Sequence, residues 1–260
     1  MILAVDIGNS CITIGGVSAD KIEFLEHIST EKSRTALEYA VSIKSVLDLN
    51  NSSAVDIDGA IISSVVPQLT AVVKLAIEKL YNVSSMVVGP GLKTGLNIMI
   101  DDPAQLGSDL LVDSVAALSE HKAPLIVIDM GTAMSFCVIN SKNQYIGGMI
   151  APGIRTSLDS LVSNTSLLQQ IELEPPKNII GRNTIDCMKS GIIYGYAGFI
   201  DGLIEQIELQ LKAKCTIVAT GGPAHAVIPF CKHEILIDND LMIKGLKVIY
   251  CKNHKASMEN

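Results

Sequence analysis

Leu3-Ala4-Val5-Asp6-Ile7-Gly8-Asn9-Ser10 stands near the start of the chain, and Ile126-Val127-Ile128-Asp129-Met130-Gly131-Thr132-Ala133 stands near its middle. Each is an apolar, β-branched run closed by an aspartate with a glycine two places later. Asp129 lies 123 positions after Asp6, and Gly131 lies 123 after Gly8, so the stretches align residue for residue at one offset. Beyond each turn the chain resumes with strand-forming residues, Cys11 to Val17 in one copy and Ser135 to Ile139 in the other. The pattern predicts two β-hairpins whose turns expose backbone N–H groups beside a carboxylate. Backbone donors bind phosphate, and a carboxylate at the same place can hold the magnesium that accompanies it. One Asp-x-Gly turn is ordinary. A duplicated one, placed where each half of the chain should begin, points to a nucleotide clamp.

The repeat divides the 260 residues into two domains, expected at 1–118 and 119–260. Hydrophobic residues make up 48% and charged residues 18%, which excludes a disordered chain and supplies two packed cores. A net charge of −7 argues against a nucleic-acid surface, which needs a basic patch, and favours a small-molecule partner. Met1 runs directly into the first strand without the basic region of a signal peptide, and no apolar run approaches the ~18 residues of a membrane span. A cytoplasmic protein, away from the membrane, is expected. The six cysteines form no C-x-x-C pair and the five histidines share no metal-ligand spacing, so buried thiols and ordinary histidines are expected.

Between the hairpins, Ile22–Ile28 reads as a third strand, and Ser33 or Thr35 caps a helix carrying Ala36, Leu37, Ala40, Val41, Ile43 and Val46. Gly59–Val66 reads as a buried strand stopped by Pro67, Leu69–Leu80 as a helix and Ser85–Val88 as a short strand. Gly89–Gly95 lacks the Gly-Lys-Ser/Thr ending of a P-loop and reads as a connector. A helix over Gln105–Leu118 closes the first half. Tyr145–Ile150, Thr156–Val162, Thr216–Ala219 and Asn239–Tyr250 follow as strand, helix, strand and helix. After Gly181-Arg182-Asn183-Thr184 a long helix runs to about Leu211, with Ser190, Gly191, Gly195, Ala197, Gly198 and Gly202 along it. So many small residues weaken an isolated helix. Close approach of a neighbouring helix, in this chain or in a second copy, would compensate.

This α/β organisation with a duplicated hairpin resembles the actin, Hsp70 and sugar-kinase superfamily, built from two similar ribonuclease-H-like domains around an ATP cleft. Within it the chain resembles type III pantothenate kinases. The matching motifs are Asp6-Ile7-Gly8-Asn9-Ser10, Ile62-Ser63-Ser64-Val65-Val66-Pro67, Lys93-Thr94-Gly95-Leu96, Gly107-Ser108-Asp109, Asp129-Met130-Gly131-Thr132-Ala133, Gly147 through Gly153, Gly181-Arg182-Asn183-Thr184, Met188-Lys189-Ser190-Gly191 and Ala219-Thr220-Gly221-Gly222. Singly most are weak. Their order and spacing together are specific.

The resemblance implies an enzyme that transfers the γ-phosphoryl group of ATP to the primary hydroxyl of pantothenate, the first step of coenzyme A biosynthesis. It implies an ATP phosphate loop at Asp6, Ile7, Gly8, Asn9, Ser10, Cys11, Ile12 and Thr13, with Asp6 engaging Mg2+ through the phosphates. Thr132 becomes a second nucleotide contact, and Asp129 the ligand of a monovalent cation, K+ or NH4+. Gly107, Ser108, Asp109 and Leu110 fall on its pantothenate loop, with Asp109 as catalytic base. Thr184 becomes a pantothenate contact supplied across a homodimer. Position alone reads Asp109 as an ordinary acid at a helix start, and Asp101 and Asp102, before Pro103, as turn residues. The family has arginine where this chain has Leu110, and leucine cannot pair with a substrate carboxylate. That leaves two alternatives open: a catalytically silent nucleotide-binding regulator, and a kinase for another small hydroxylated acceptor.

Overall fold

The computed structural model describes residues 1–18, 21–52 and 57–258, the side chains of 255–258 excepted. β1 (Ile2–Ile7), β2 (Cys11–Val17) and β3 (Ile22–Ser29) form an antiparallel meander; α1 (Ala36–Leu49) leads to β4 (Gly59–Ser64), and α2 (Pro67–Tyr81) to β5 (Ser85–Val87). In the first sheet the strand order is β3-β2-β1-β4-β5, with β4 and β5 parallel to β1. The second half repeats this plan. β7 (Leu125–Met130), β8 (Ala133–Ile139) and β9 (Gln144–Pro152) form the meander, α4 (Ile154–Ser163) and α5 (Thr184–Leu211) follow, and β10 (Thr216–Thr220) and β11 (Leu236–Ile237) extend it in parallel. Its strand order is β11-β10-β7-β8-β9-β6, the extra edge being β6 (Asn97–Ile98). Two mixed sheets of like topology make this an α/β fold of the two-domain, ribonuclease-H-like kind.

Local chemistry accounts for the element ends. Thr35 caps α1 in a capping box with Glu38: the Thr35 hydroxyl accepts from the Glu38 amide and the Glu38 carboxylate accepts from the Thr35 amide at 2.7 Å. Pro67, expected to end a strand, also begins α2, a first-turn position where a missing N–H leaves nothing unsatisfied. The helix expected from Gln105 starts later. A 3-10 turn, Pro103–Gln105, comes first, capped by Asp102 through the Ala104 amide, and α3 (Ser108–Glu120) begins after Gly107.

Because side chains alternate across a strand, Leu3, Val5 and Ile7 face a core with Tyr39, Ile43 and Leu47 of α1 and Leu69, Val73 and Ile77 of α2. Asp6 therefore points to the opposite face of the sheet. That face is covered by α7 (Leu241–Met258), which follows the short α6 (Ala224–Val227) and packs on β1, β2 and β4. A Cβ at Gly245 would fall 2.2 Å from the Val112 carbonyl of α3, and Gly15 on β2 leaves room for Ile243.

The compact units are Met1–Gly95 with Asp102–Ser119 and Asp240–Asn260, and Leu96–Asp101 with Glu120–Asn239. The expected boundary at 118/119 is corrected in two places. The C-terminal helix returns to the first unit, because Leu241, Ile243, Leu246 and Ile249 bury their apolar surface there. Residues 96–101 belong to the second, because β6 pairs with Gln144 and Tyr145 of β9.

Candidate active site

β1 supplies one carboxylate at the end of a buried strand. Asp6 lies in register with Thr13 on β2 and with Ser63 on β4, and Thr13 lies opposite His27 on β3. Partners in register present side chains on one face, so a polar row, His27-Thr13-Asp6-Ser63, crosses the sheet one residue short of the ends of β1 and β4. Thr13 Oγ1 and His27 Nδ1 are 3.1 Å apart. The turn itself is held by backbone: Gly8 N–H donates to Cys11 O at 3.0 Å, Thr30 N–H donates to Ser10 O at 3.2 Å, and the Thr30 hydroxyl donates to Gly8 O at 2.8 Å. A Cβ on Gly8 would sit 2.9 Å from Cys11 O. Asn9 and Ser10 are exposed. Ile7 and Ile12, expected among the nucleotide contacts, have side chains buried in the core, so only their backbone is available to a ligand. Burial and the neighbouring Asp6 raise the Cys11 thiol above its usual pKa, which opposes a reactive thiolate.

One oxygen of Asp6, Oδ1, is sealed from solvent without a hydrogen-bond partner. Burial pushes the carboxyl up to about 7; the Ser63 hydroxyl works against that rise, and the charge of Asp109 adds to it. Asp109 is the second residue of α3, and its Oδ1 accepts from the Leu110 amide at 2.8 Å. Burial raises its pKa too, with the Leu110 amide opposing. A Cβ on Gly107 would come within 2.5 Å of that same Oδ1, so the glycine leaves the carboxylate free to occupy its place. Two carboxyls short of water, one of them raised by the charge of the other, gain from a cation beside them. An orphaned buried oxygen with a hard-oxygen neighbourhood fits magnesium.

The second unit repeats the row with other residues. Asp129 lies in register with Ser135 on β8 and Thr220 on β10. The Ser135 hydroxyl is buried without a hydrogen-bond partner, so this carboxylate and its two hydroxyls form an oxygen-donor set that fits a hard monovalent cation. Among the described residues no group of three or more His, Cys, Asp and Glu forms a metal cluster. The turn departs from the strict 123-residue offset. Ile7 pairs with Ile12 across four intervening residues, whereas Met130 pairs with Met134 across three. Gly153 N–H donates to Thr132 O at 3.0 Å, the counterpart of Thr30 to Ser10, and the Thr156 hydroxyl donates to the same oxygen at 2.7 Å. A Cβ on Gly153 would meet Gly131 O at 2.2 Å. Thr132 stands exposed at the tip.

Thr184 is exposed at the first position of α5, capped by Asn183, whose Oδ1 accepts from the Asp186 amide at 2.9 Å. Of the small residues of α5, Ser190 and Ala197 are buried, but the close packing expected at the four glycines is absent within the described residues. Cβ atoms on Gly191, Gly195, Gly198 and Gly202 would meet nothing within 4 Å. Gly191 and Gly195, with Ala151, Pro152, Tyr196 and Phe199, instead line an open apolar groove of ≈ 250 Å³.

The first unit thus joins Asp6, Thr13, Ser63, Ser108 and Asp109, and the second joins Asp129, Ser135, Thr220 and Thr132. Ser63 and Ser135 were missed as site residues. For Ser63 the signal was its position after the buried run of β4, readable once β4 is paired in parallel with β1.

A model of the type III pantothenate kinase family matches residues 2–206. This chain belongs to that family. It is 40% identical to the type III pantothenate kinase of Halalkalibacterium halodurans over 97% of its own length and 100% of that protein's. It is also 40% identical to the type III pantothenate kinase of Brevibacillus brevis, covering 97% and 99% of the two chains. Among solved structures it is similar to the ADPNP-bound activator of the 2-hydroxyisocaproyl-CoA dehydratase from Clostridium difficile, with a TM-score of 0.57 at 12% identity over 99% of this chain and 96% of that one. That similarity concerns the fold. Full-length agreement with type III pantothenate kinases makes this protein a kinase, and does not favour the silent-regulator alternative. Among the described residues, no helix of this family member is long and apolar enough to cross a membrane.

Proposed function

We propose that this kinase phosphorylates the primary hydroxyl of pantothenate with ATP, giving 4′-phosphopantothenate, the first step of coenzyme A biosynthesis. The observation that carries the reading is the neighbourhood of Asp6 and Asp109, one on a phosphate-type turn and the other at a helix start, each pushed upward by burial. Phosphoryl transfer has a loose transition state, so the protein's task is to hold phosphates and acceptor in line. Amides of the Gly8–Thr13 turn are the donors for phosphate oxygens in the first unit, and the Thr132 hydroxyl is the nucleotide contact that the second unit offers. Asp6, with its orphaned Oδ1, and Asp129, with Ser135 and Thr220, are the residues that would hold Mg2+ and a monovalent cation. Bound magnesium neutralises charge on the phosphate oxygens.

Asp109 accepts the proton of the pantothenate hydroxyl as its oxygen bonds to the γ-phosphorus and the bond to ADP breaks. A carboxylate held above its ordinary pKa is the stronger base, and such a base contributes ~10²–10⁴ in rate. Gly107, Ser108 and Leu110 frame the acceptor. Thr184 contributes from the second subunit of a homodimer formed through the glycine face of α5, where Phe199, 40% exposed, offers apolar surface.

Turnover with ATP and a panel of hydroxylated acceptors tests this directly. Pantothenate is expected to be the preferred acceptor, and preference for another would replace it. Mixing inactive Asp109→Asn and Thr184→Ala proteins should restore activity if sites are shared between subunits; no recovery after verified subunit exchange would confine each site to one chain.

A further inference from the structure

Ser63 is fully buried at the end of β4, in register with Asp6. Its Oγ donates to Ser108 Oγ at 3.1 Å. Ser108 Oγ in turn donates to the Ser64 carbonyl at 3.0 Å and accepts from the Ser64 amide at 3.1 Å. Beyond it, Thr70 Oγ1 donates to Ser64 Oγ at 2.8 Å and the Val66 amide donates to the same oxygen at 3.2 Å. These bonds fasten the end of β4 to the first residue of α3, one position before Asp109.

A hydroxyl has one hydrogen and two lone pairs. The hydrogen of Ser108 goes to the Ser64 carbonyl, because a carbonyl only accepts, so Ser108 receives from Ser63, whose one hydrogen is shared between Ser108 and the Asp6 carboxylate. On its other side Ser63 adjoins Asp6. Without Ser63 the helix start keeps the two Ser64 bonds but loses the one that comes from the Asp6 side of the strand, so Ser108, and Asp109 next to it, is held from one strand residue instead of two. An alanine at position 63 would leave the packing of the strand intact and remove this link together with the hydroxyl that Ser63 turns toward the Asp6 carboxyl. Ser114, on the same helix, is the contrasting case, a buried hydroxyl with no hydrogen-bond partner.

We propose that Ser63 is a positioning residue for phosphoryl transfer: through Ser108 it locks the start of α3, and hence Asp109, to the strand that flanks Asp6. This rests on the reading of Asp109 as base and Asp6 as the metal-side carboxylate. Misplacement of a reacting group by ~1 Å can cost ~10²-fold in rate without loss of binding.

The test is steady-state kinetics of the full-length protein with ATP and pantothenate. Ser63→Ala is expected to lower kcat by about tenfold or more, with both KM values little changed, while Ser63→Thr recovers most of kcat and Ser114→Ala behaves as wild type. An unchanged kcat in Ser63→Ala, or an equal loss in Ser114→Ala, overturns the proposal. So does a change confined to KM. Should Ser63→Ala not fold, Ser63→Cys keeps the volume with a weaker donor; the same fall in kcat is expected, and full turnover overturns the proposal. Wild-type protein without pantothenate turnover defeats the functional reading and this proposal together, whereas an active wild type with a fully active Ser63→Ala defeats this proposal alone.

Discussion

Asp6 and Asp129 occupy the same place in two copies of one sheet plan. Each is the one acid in its buried strand, and each lies in register with two hydroxyl-bearing residues, Thr13 and Ser63 in one copy, Ser135 and Thr220 in the other. The surroundings diverge from there. In the first copy the row runs on to His27 at one end and, through Ser108, to the helix carrying Asp109 at the other. In the second copy the position opposite Ser135 is Ile150, 74% exposed, and the turn is one residue shorter, wedged by Gly153. Duplication supplied two cradles of backbone and carboxylate. On the proposed reading, the acid beside Asp6 suits the first copy to proton transfer, and the two hydroxyls beside Asp129 suit the second to holding a cation.

The sharpest test of that division is Asp109→Asn, a nearly isosteric change. ATP binding should persist while turnover falls by at least ~10²-fold, as loss of a general base would produce. A variant keeping most of its activity would reduce Asp109 to a helix-start acid and erase the difference between the copies.

Next in size is Leu110→Arg. Leu110 follows the proposed base at the position where the family resemblance implies arginine, and a guanidinium there can make a charge-assisted hydrogen bond to the pantothenate carboxylate. At ~1.5–3 kcal/mol for such a bond, the KM for pantothenate should drop about tenfold with kcat nearly constant. A KM that stays put or rises would mean that leucine packs into α3 and another cation serves the substrate.

For the second copy the prediction concerns ions. With magnesium fixed, replacing sodium by potassium should raise the rate by a few-fold, on the order of 1 kcal/mol or less of transition-state energy. Identical rates in the two buffers would remove the cation from Asp129.

The last effect is on stability rather than turnover. Asp6 titrates at about 7 in the fold against 3.8 as a free side chain. Between these values the native state holds a proton that the unfolded chain has released, so the metal-free protein loses stability as pH rises from about 4 to 7. Asp6→Asn should flatten that slope and raise Tm at pH 8; each 1 kcal/mol is worth about 2–4 °C at this size. Wild-type melting curves that do not move with pH over this window would show that Oδ1 is better solvated than its burial implies.

Much of this was legible in the residues. Alternation and β-branching placed both hairpins, Thr35 and Glu38 announced the start of α1, and the Asp-x-Gly repeat gave the plan of the fold, because each depends on neighbours a few residues away. The motif order marked Asp6, Asp109, Asp129 and Thr132. Other features depended on distant partners. Ser63 became a site residue only when β4 paired with β1, and the C-terminal helix, which periodicity assigned to the second half, returned to the first because its apolar face fits β1, β2 and β4.

Sequence by itself therefore determined the duplicated α/β plan, the family and the identity of the acids at the two turns, since local propensity and motif spacing are short-range properties of the chain. Tertiary structure decided which groups share an environment. It sealed Oδ1 of Asp6 from water, set Asp109 near enough to raise it, left Ser135 buried without a partner, and kept the α5 glycines open. Desolvation and proximity between residues as far apart as Asp6 and Asp109 exist only once the sheets are assembled, and those two quantities fix the protonation and geometry on which a phosphoryl transfer depends.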